Sequence, residues 1–217
     1  PWYVNDHTFF RDPAGTWHLV GITHDEPFAP FDETEFVHAT APDLHGPWQR
    51  HEPALVADPD RGEHHLWAPH VVDHDGRLWM YYCAGGDTKD RYRIHLATSD
   101  DGWTWVRHPA NPMVVDGFEA RDPMVRRVDD RWVMYYTATS APTGGAHVVA
   151  AVESDDPLVD VELAGPGRAV RVHRVHPGPG LGQVAGAGHR PGVERQDARR
   201  HAEGGAAVDR DVAGEGV

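Results

Sequence analysis

The sequence predicts an all-β protein of the β-propeller type, with about three blades within its 217 residues. Three observations predict it. Short runs rich in Val, Tyr, Trp and Phe are bounded by Asp, Gly and Pro, the pattern of strands and turns. One hairpin recurs: TWHLVGIT, LWMYYCAG and WVMYYTAT follow the turns RDPAG, DHDG and VDD, and a shorter apolar run, HTFF, HVV or MV, precedes each turn. Its markers Trp17, Trp79 and Trp132 stand 62 and 53 residues apart. A recurrence near 50 residues with about four strands per unit is the period of propeller blades. A β-sandwich can use similar hairpins, but nothing in a sandwich requires the long recurrence.

The elements follow in order. The first unit runs from HTFF through TWHLVGIT to an outer strand, EFVHATA. The second runs from HVV through LWMYYCAG to YRIHLATS, and then to SDDGWTW, a tight Asp-Gly turn with aromatic packing after it. The third begins at GFEARDPMV. Pro123 biases Asp122 toward an extended conformation, so a strand is expected from Met124-Val125. That strand should turn at Asp129-Asp130, return as RWVMYYTAT and continue through AHVVAAVES. Three units cannot close a ring, which leaves an open strand edge.

Composition divides the chain at about residue 163. Tyr136 is the last Phe, Tyr or Trp, and from Ala164 onward the only leucine is Leu181. Residues 164–217 carry eight Arg against six Asp plus Glu, which leaves a net −16 on residues 1–163 of a chain at −14. Ordering a residue costs roughly 1–2 kcal/mol, and burying a Val or Leu returns about 1.5–3 kcal/mol. Eight Val, one Leu and twelve Gly therefore predict an irregular tail, with no strand pairing onto AHVVAAVES. A disordered tail and a reading-frame shift in a GC-rich gene both give such a composition. The domains expected are thus 1–163, an incomplete propeller, and 164–217, a Gly/Ala/Arg-rich tail.

The charge of −14 argues against nucleic acid and anionic membrane surfaces as partners. No apolar run approaches the roughly 18 residues that span a bilayer. Cys83 is the single cysteine, so no internal disulfide forms. The chain starts at Pro1, which suggests a processed product or a fragment; compartment and oligomeric state stay open.

WYVNDHTFF resembles the opening of the five-bladed propeller glycosidases, where family 32 has a WMNDPNG-type motif. LWAPHVVDHDGRLWMYYC resembles a family 43 pattern, and ARDPMV resembles the RDP motif of families 32 and 68. The turn DLHGPW is also similar to one common in that superfamily, and the resemblance covers about residues 1–160. It implies a five-bladed fold and a glycosidase acting on fructosides, arabinosides or xylosides, with an oligosaccharide or polysaccharide as partner.

A propeller gathers the first strand of each blade around its axis, so Asp6, His70 and Asp122 are expected to converge on one pocket. Glycoside hydrolysis needs one carboxylate as base or nucleophile and one carboxylic acid for the leaving oxygen. Asp6 is the candidate for the first role, and by resemblance Asp122 is a third carboxylate that orients sugar hydroxyls or tunes the acid. Arg121 is expected to hold Asp122 ionised. Asn5, Trp67, His70 and Arg121 are expected to bind substrate, Trp67 by offering a stacking face. The alternative is that Asp6 and Asp122 only bond turn amides.

The acid is missing from this pattern. Family resemblance puts a Glu about one blade after the RDP motif, inside the Gly/Arg-rich segment. Glu162 and Glu194 lack a strand-like context, and Glu119 is too close in sequence to Asp122 to stand opposite it. Impaired activity is the expectation, and a non-catalytic carbohydrate-binding propeller is the alternative. A mannoside phosphorylase is a further alternative, and Arg121, Arg126 and Arg127 are too few to argue its phosphate pocket. No cofactor is expected, although resemblance to family 43 would let His70 contact a central water or calcium ion. His64, His65 and His74 are expected at the surface or in turns, since their spacing fits no closed metal site.

Overall fold

The computed structural model describes residues 3–24, 32–141, 143–158, 171–176 and 183–186. All of them fall in one compact unit, 1–187. Three antiparallel sheets follow one another along the chain as propeller blades. The first holds β1 (His7–Arg11), β2 (Trp17–Thr23), β3 (Glu35–Ala41) and β4 (Gln49–Arg50) in that order, with β5 (Leu55–Val56) also on β3. The second is β6 (Leu66–His74), β7 (Arg77–Ala84), β8 (Arg93–Ser99) and β9 (Val106–Arg107). The third is β10 (Arg121–Val128), β11 (Arg131–Ala141), β12 (Gly144–Ser154), β13 (Arg171–His176) and β14 (Gln183–Gly186). No helix among the described residues is long and apolar enough to cross a membrane.

The middle sheet explains why LWMYYCAG is apolar at nearly every position. Side chains alternate faces along a strand. Leu78, Met80, Tyr82 and Ala84 pack with Phe10, Val20, Ile22 and Phe36 of the first sheet. Tyr81 points the other way and packs with Val125, Trp132, Met134 and Tyr136 of the third. Both faces of β7 are buried, so neither can carry the polar half of an alternating strand. Each large side chain buried there contributes about 1.5–3 kcal/mol. The two faces of the third sheet differ: Met134 and Tyr136 are buried on one, whereas the other is covered only in part, with Val133 and Ala151 buried but Tyr135 and Val149 exposed.

The turns behave as their residues dictate. The Asp101 carboxylate accepts from the amides of Trp103 at 2.8 Å and Thr104 at 2.7 Å, and Gly102 adopts φ +78°. Asp129 takes φ +52° in the turn between β10 and β11, as Asp tolerates.

The expectation of an irregular segment after residue 163 needs correcting. β13 pairs antiparallel with β12, Val149 opposite Val175, and β14 pairs with β13. An unpaired strand edge offers a row of amide and carbonyl groups. Pairing onto it is a backbone interaction that does not depend on a large apolar face, and Val172 and Val175 are good strand formers. The compositional boundary at residue 163 is therefore not a boundary of strand pairing. The rest of 164–217 lies outside the described residues, as does Glu162.

Candidate active site

The three innermost strands, β1, β6 and β10, begin with the same defect. In β10 the register runs from Arg121 opposite Thr137 to Met124 opposite Tyr135, so Asp122 and Pro123 together face one residue. In β6 it runs from Trp67 opposite Cys83 to His70 opposite Tyr81, and Ala68-Pro69 is the extra pair. Ahead of β1, the Asn5 amide donates to the Ile22 carbonyl and the Ile22 amide donates to the Asp6 carbonyl, so Asn5 and Asp6 share one partner. Each is a bulge of two residues against one, a device that re-aims side chains beside functional sites.

Asp122 and Ala68 adopt φ +55° and +46°. The extended conformation expected for Asp122 is thus incorrect. Proline disfavours the right-handed helical region for its predecessor, and the bulge takes up the left-handed region instead. Such backbone is strained for non-glycine residues and clusters at functional sites.

The three bulges line one cavity of about 600 Å³, bounded by Asn5, Asp6, Ala68, His70, Arg121 and Asp122, with Val4, His7 and the two prolines. Five of the six expected residues thus meet there. Trp67 does not line it: its ring centroid lies 3.9 Å from that of His65 and 5.1 Å from that of Tyr92. The parity of β6 turns Trp67 into packing, which corrects its expected role as a sugar platform.

His70 and Asp122 are not register equivalents. Ala68 is the counterpart of Asp122, and His70 that of Met124. The repeated residue-Pro pair, Ala68-Pro69 and Asp122-Pro123, was the sequence signal for this alignment. His70 Nε2 lies 3.0 Å from the Val125 carbonyl, and the Val71 amide donates to Thr8 Oγ1 at 3.3 Å. These bonds tie β6 to its neighbours on either side and hold the cavity wall.

Arg121 bridges two carboxylates, with Nη1 2.8 Å from Asp122 Oδ2 and Nε 2.6 Å from Glu119 Oε1. Glu119 is buried, and its second oxygen lies 3.1 Å from His147 Nε2. It is therefore turned into an ion-paired chain and lines no part of the cavity. Burial pushes the Asp122 carboxyl above its ordinary pKa; Arg121 and a Thr137 hydrogen bond oppose the shift, while Asp6 and Glu119 add to it. The ion pair forms as expected, but it does not hold Asp122 below the usual range. Desolvation disfavours the charged form and here outweighs one cation.

The other expected histidines divide. His64 is exposed. His74 is half-buried, 5.1 Å from the Trp132 ring and 3.3 Å from Asp75. His65 is fully buried between Trp67 and Tyr92, which corrects its placing at the surface. Burial drops its pKa to about 4. The described residues include no group of three or more His, Cys, Asp and Glu that could hold a metal. Calcium takes six to eight oxygen ligands, and His70 already engages a carbonyl through Nε2. These residues do not fit a directly bound calcium ion.

Comparison with known proteins places this architecture. The profile described as "Glycosyl hydrolases family 32 N-terminal domain" matches residues 3–158. No curated protein sequence matches the chain significantly. Among solved structures, a family 43 β-xylosidase/α-arabinofuranosidase from a compost microbial metagenome, in a calcium-free complex with xylotriose, superposes with TM-score 0.58 at 18% identity. It covers 80% of this chain and 59% of that one. The family 32 β-fructofuranosidase of Bombyx mori has TM-score 0.58 at 20% identity, covering 79% and 40%. Sucrose-6-phosphate hydrolase from Lactobacillus gasseri has TM-score 0.58 at 20% identity, covering 79% and 39%. The chain thus spans about two fifths to three fifths of the length of these structures.

Proposed function

The chain belongs to glycosyl hydrolase family 32 through its N-terminal domain, and on that premise we propose that the three-bulge cavity binds one ring of a fructoside, arabinoside or xyloside. The observation that carries this reading is the convergence on one cavity of Asp6 from the first blade with Arg121 and Asp122 from the third. Asp6 supplies the carboxylate that attacks the anomeric carbon or activates water against it. Asp122, with a raised affinity for a proton and a fixed partner in Arg121, receives sugar hydroxyls. Asn5 and His70 shape the walls.

The leaving oxygen also needs a proton, and no Glu lines the cavity among the described residues. A positioned general acid is worth about 10²–10⁴-fold, so the chain as it stands hydrolyses aryl glycosides slowly or not at all. The same observation favours a second reading, sugar binding without turnover. The test is a titration of the 217-residue chain with fructose, arabinose and xylose, followed by amide chemical shifts, beside an assay on the aryl glycosides. Shifts at Asn5, Asp6 and Asp122 that vanish in Asp6→Asn support the cavity. Shifts confined to other residues overturn it. Substantial turnover abolished by Asp6→Asn overturns the impairment.

A further inference from the structure

A second cavity, of about 270 Å³, shares no lining residue with the first. Its chemistry is unusual for a chain of net charge −14. Arg61, Arg91, Arg93, His64 and His95 line it, with no Asp or Glu among the lining residues. They come from the segment before β6, the β7–β8 connection and the start of β8.

The arginines keep donors to spare. A guanidinium carries five N–H groups. Arg61 uses Nε on Asp58 at 3.0 Å, and Arg93 uses Nη1 on the Tyr92 carbonyl at 2.8 Å. Among the described residues, no carboxylate lies within ion-pair distance of Arg91 or Arg93. The nearest buried acid, Glu63, is already engaged: Arg107 Nη2 lies 2.7 Å from Oε2, and the Tyr82 hydroxyl donates to Oε1 at 2.8 Å.

The wall is built rather than incidental. His95 is 4% exposed, and its Nδ1 makes no hydrogen bond among the described residues, lying 3.6 Å from Glu63 Oε1. Gly85 and Gly86 let the backbone press against Arg91. A Cβ on Gly85 would stand 2.0 Å from the Arg91 carbonyl oxygen, and one on Gly86 would stand 2.6 Å from Arg91 Cδ. Any side chain at either position would displace the arginine.

We propose that this cavity recognises a phosphate group, either free or carried on a sugar. Planar guanidinium groups match phosphate oxygens in pairs, and several cations together offset a dianion. The cavity exceeds what a bare phosphate fills, which leaves room for an attached ring. Sharing no residue with the three-bulge cavity, it stands or falls independently of the glycosidase reading.

The test titrates the full chain with inorganic phosphate, glucose 6-phosphate and glucose, following backbone amide shifts. Saturable shifts at Gly62, Gly85 and Gly86 are expected with both phosphates and not with glucose, and they weaken as salt rises. Equal affinity for the two identifies the phosphate alone as the determinant. At least tenfold tighter binding of glucose 6-phosphate identifies a sugar phosphate. Arg91→Gln and Arg93→Gln should each weaken binding at least tenfold, with Arg91→Lys in between. Glucose shifting the same amides equally, phosphates shifting none of them, or both Gln variants binding within twofold of wild type overturns the proposal. The wild-type shift map decides even where a variant fails to fold.

Discussion

Arg121 Nη1 and Asp122 Oδ2 stand 2.8 Å apart, yet the Asp122 carboxyl holds its proton more tightly than an ordinary aspartate. A raised folded-state pKa favours the folded state at low pH, and that advantage is lost as pH rises through the raised value. Asp122→Asn should therefore be as stable as wild type or more so at pH 7, with the difference vanishing below the ordinary carboxyl range. Urea unfolding at pH 3 and pH 7 measures it. A variant less stable than wild type only at pH 7 would contradict the burial argument.

Three histidines set the acid limit of the fold. Burial is the leading cause that drops His38, His65 and His95 to about 4. A depressed histidine pKa gives stability that is present above about 6.5 and lost as pH falls toward 4. Each such group steepens the loss by up to about 1.4 kcal/mol per pH unit. His38→Gln should flatten the profile between pH 6.5 and 4. A wild-type stability that is flat from pH 7 to 5 would exclude neutral burial.

Glu63 is fully buried, and Arg107 and Tyr82 hold its carboxylate. Breaking a buried pair from one side costs about 3–5 kcal/mol, because the partner is left uncompensated. Glu63→Ala should lose that much in chemical denaturation. A loss under about 1 kcal/mol would mean that Arg107 finds water once Glu63 is gone.

Gly21 permits the entry of β1 into the cavity wall. A Cβ there would lie 2.8 Å from His7 Cβ and 3.2 Å from Val4 Cγ1. Gly21→Ala should cost about 1–3 kcal/mol, as overpacking does, and it should shift the amides of Asn5 and Asp6. Sugar binding that survives unchanged with unmoved amides would show that the first bulge is placed by other contacts.

The hairpins were legible because Trp17, Trp79 and Trp132 mark a long period that local composition cannot counterfeit. The convergence of Asp6 and Asp122 was legible from the same repeat, whereas His70 reaches the cavity from the register position of Met124. What escaped was parity. A bulge changes which side chains face inward without altering residue type, so Trp67 read as a ring at the cavity although β6 turns it toward His65 and Tyr92. The hairpin of β13 and β14 escaped for another reason. Its pairing is backbone to backbone on the free edge of β12, and composition counts only side chains.

The repeated bulge makes residue number, rather than residue type, the quantity that sets the cavity wall. Removing one residue at Ala68 would restore an uninterrupted ladder between β6 and β7. It would also put the chain before His70 on the opposite parity, since a one-residue slip moves side chains to the other face. Lineages could thus reshape this cavity by single-codon insertions and deletions at three places while leaving the stacked sheets untouched. Length variation at these three strand heads, more than substitution along the strands, is the trace that such a history would leave.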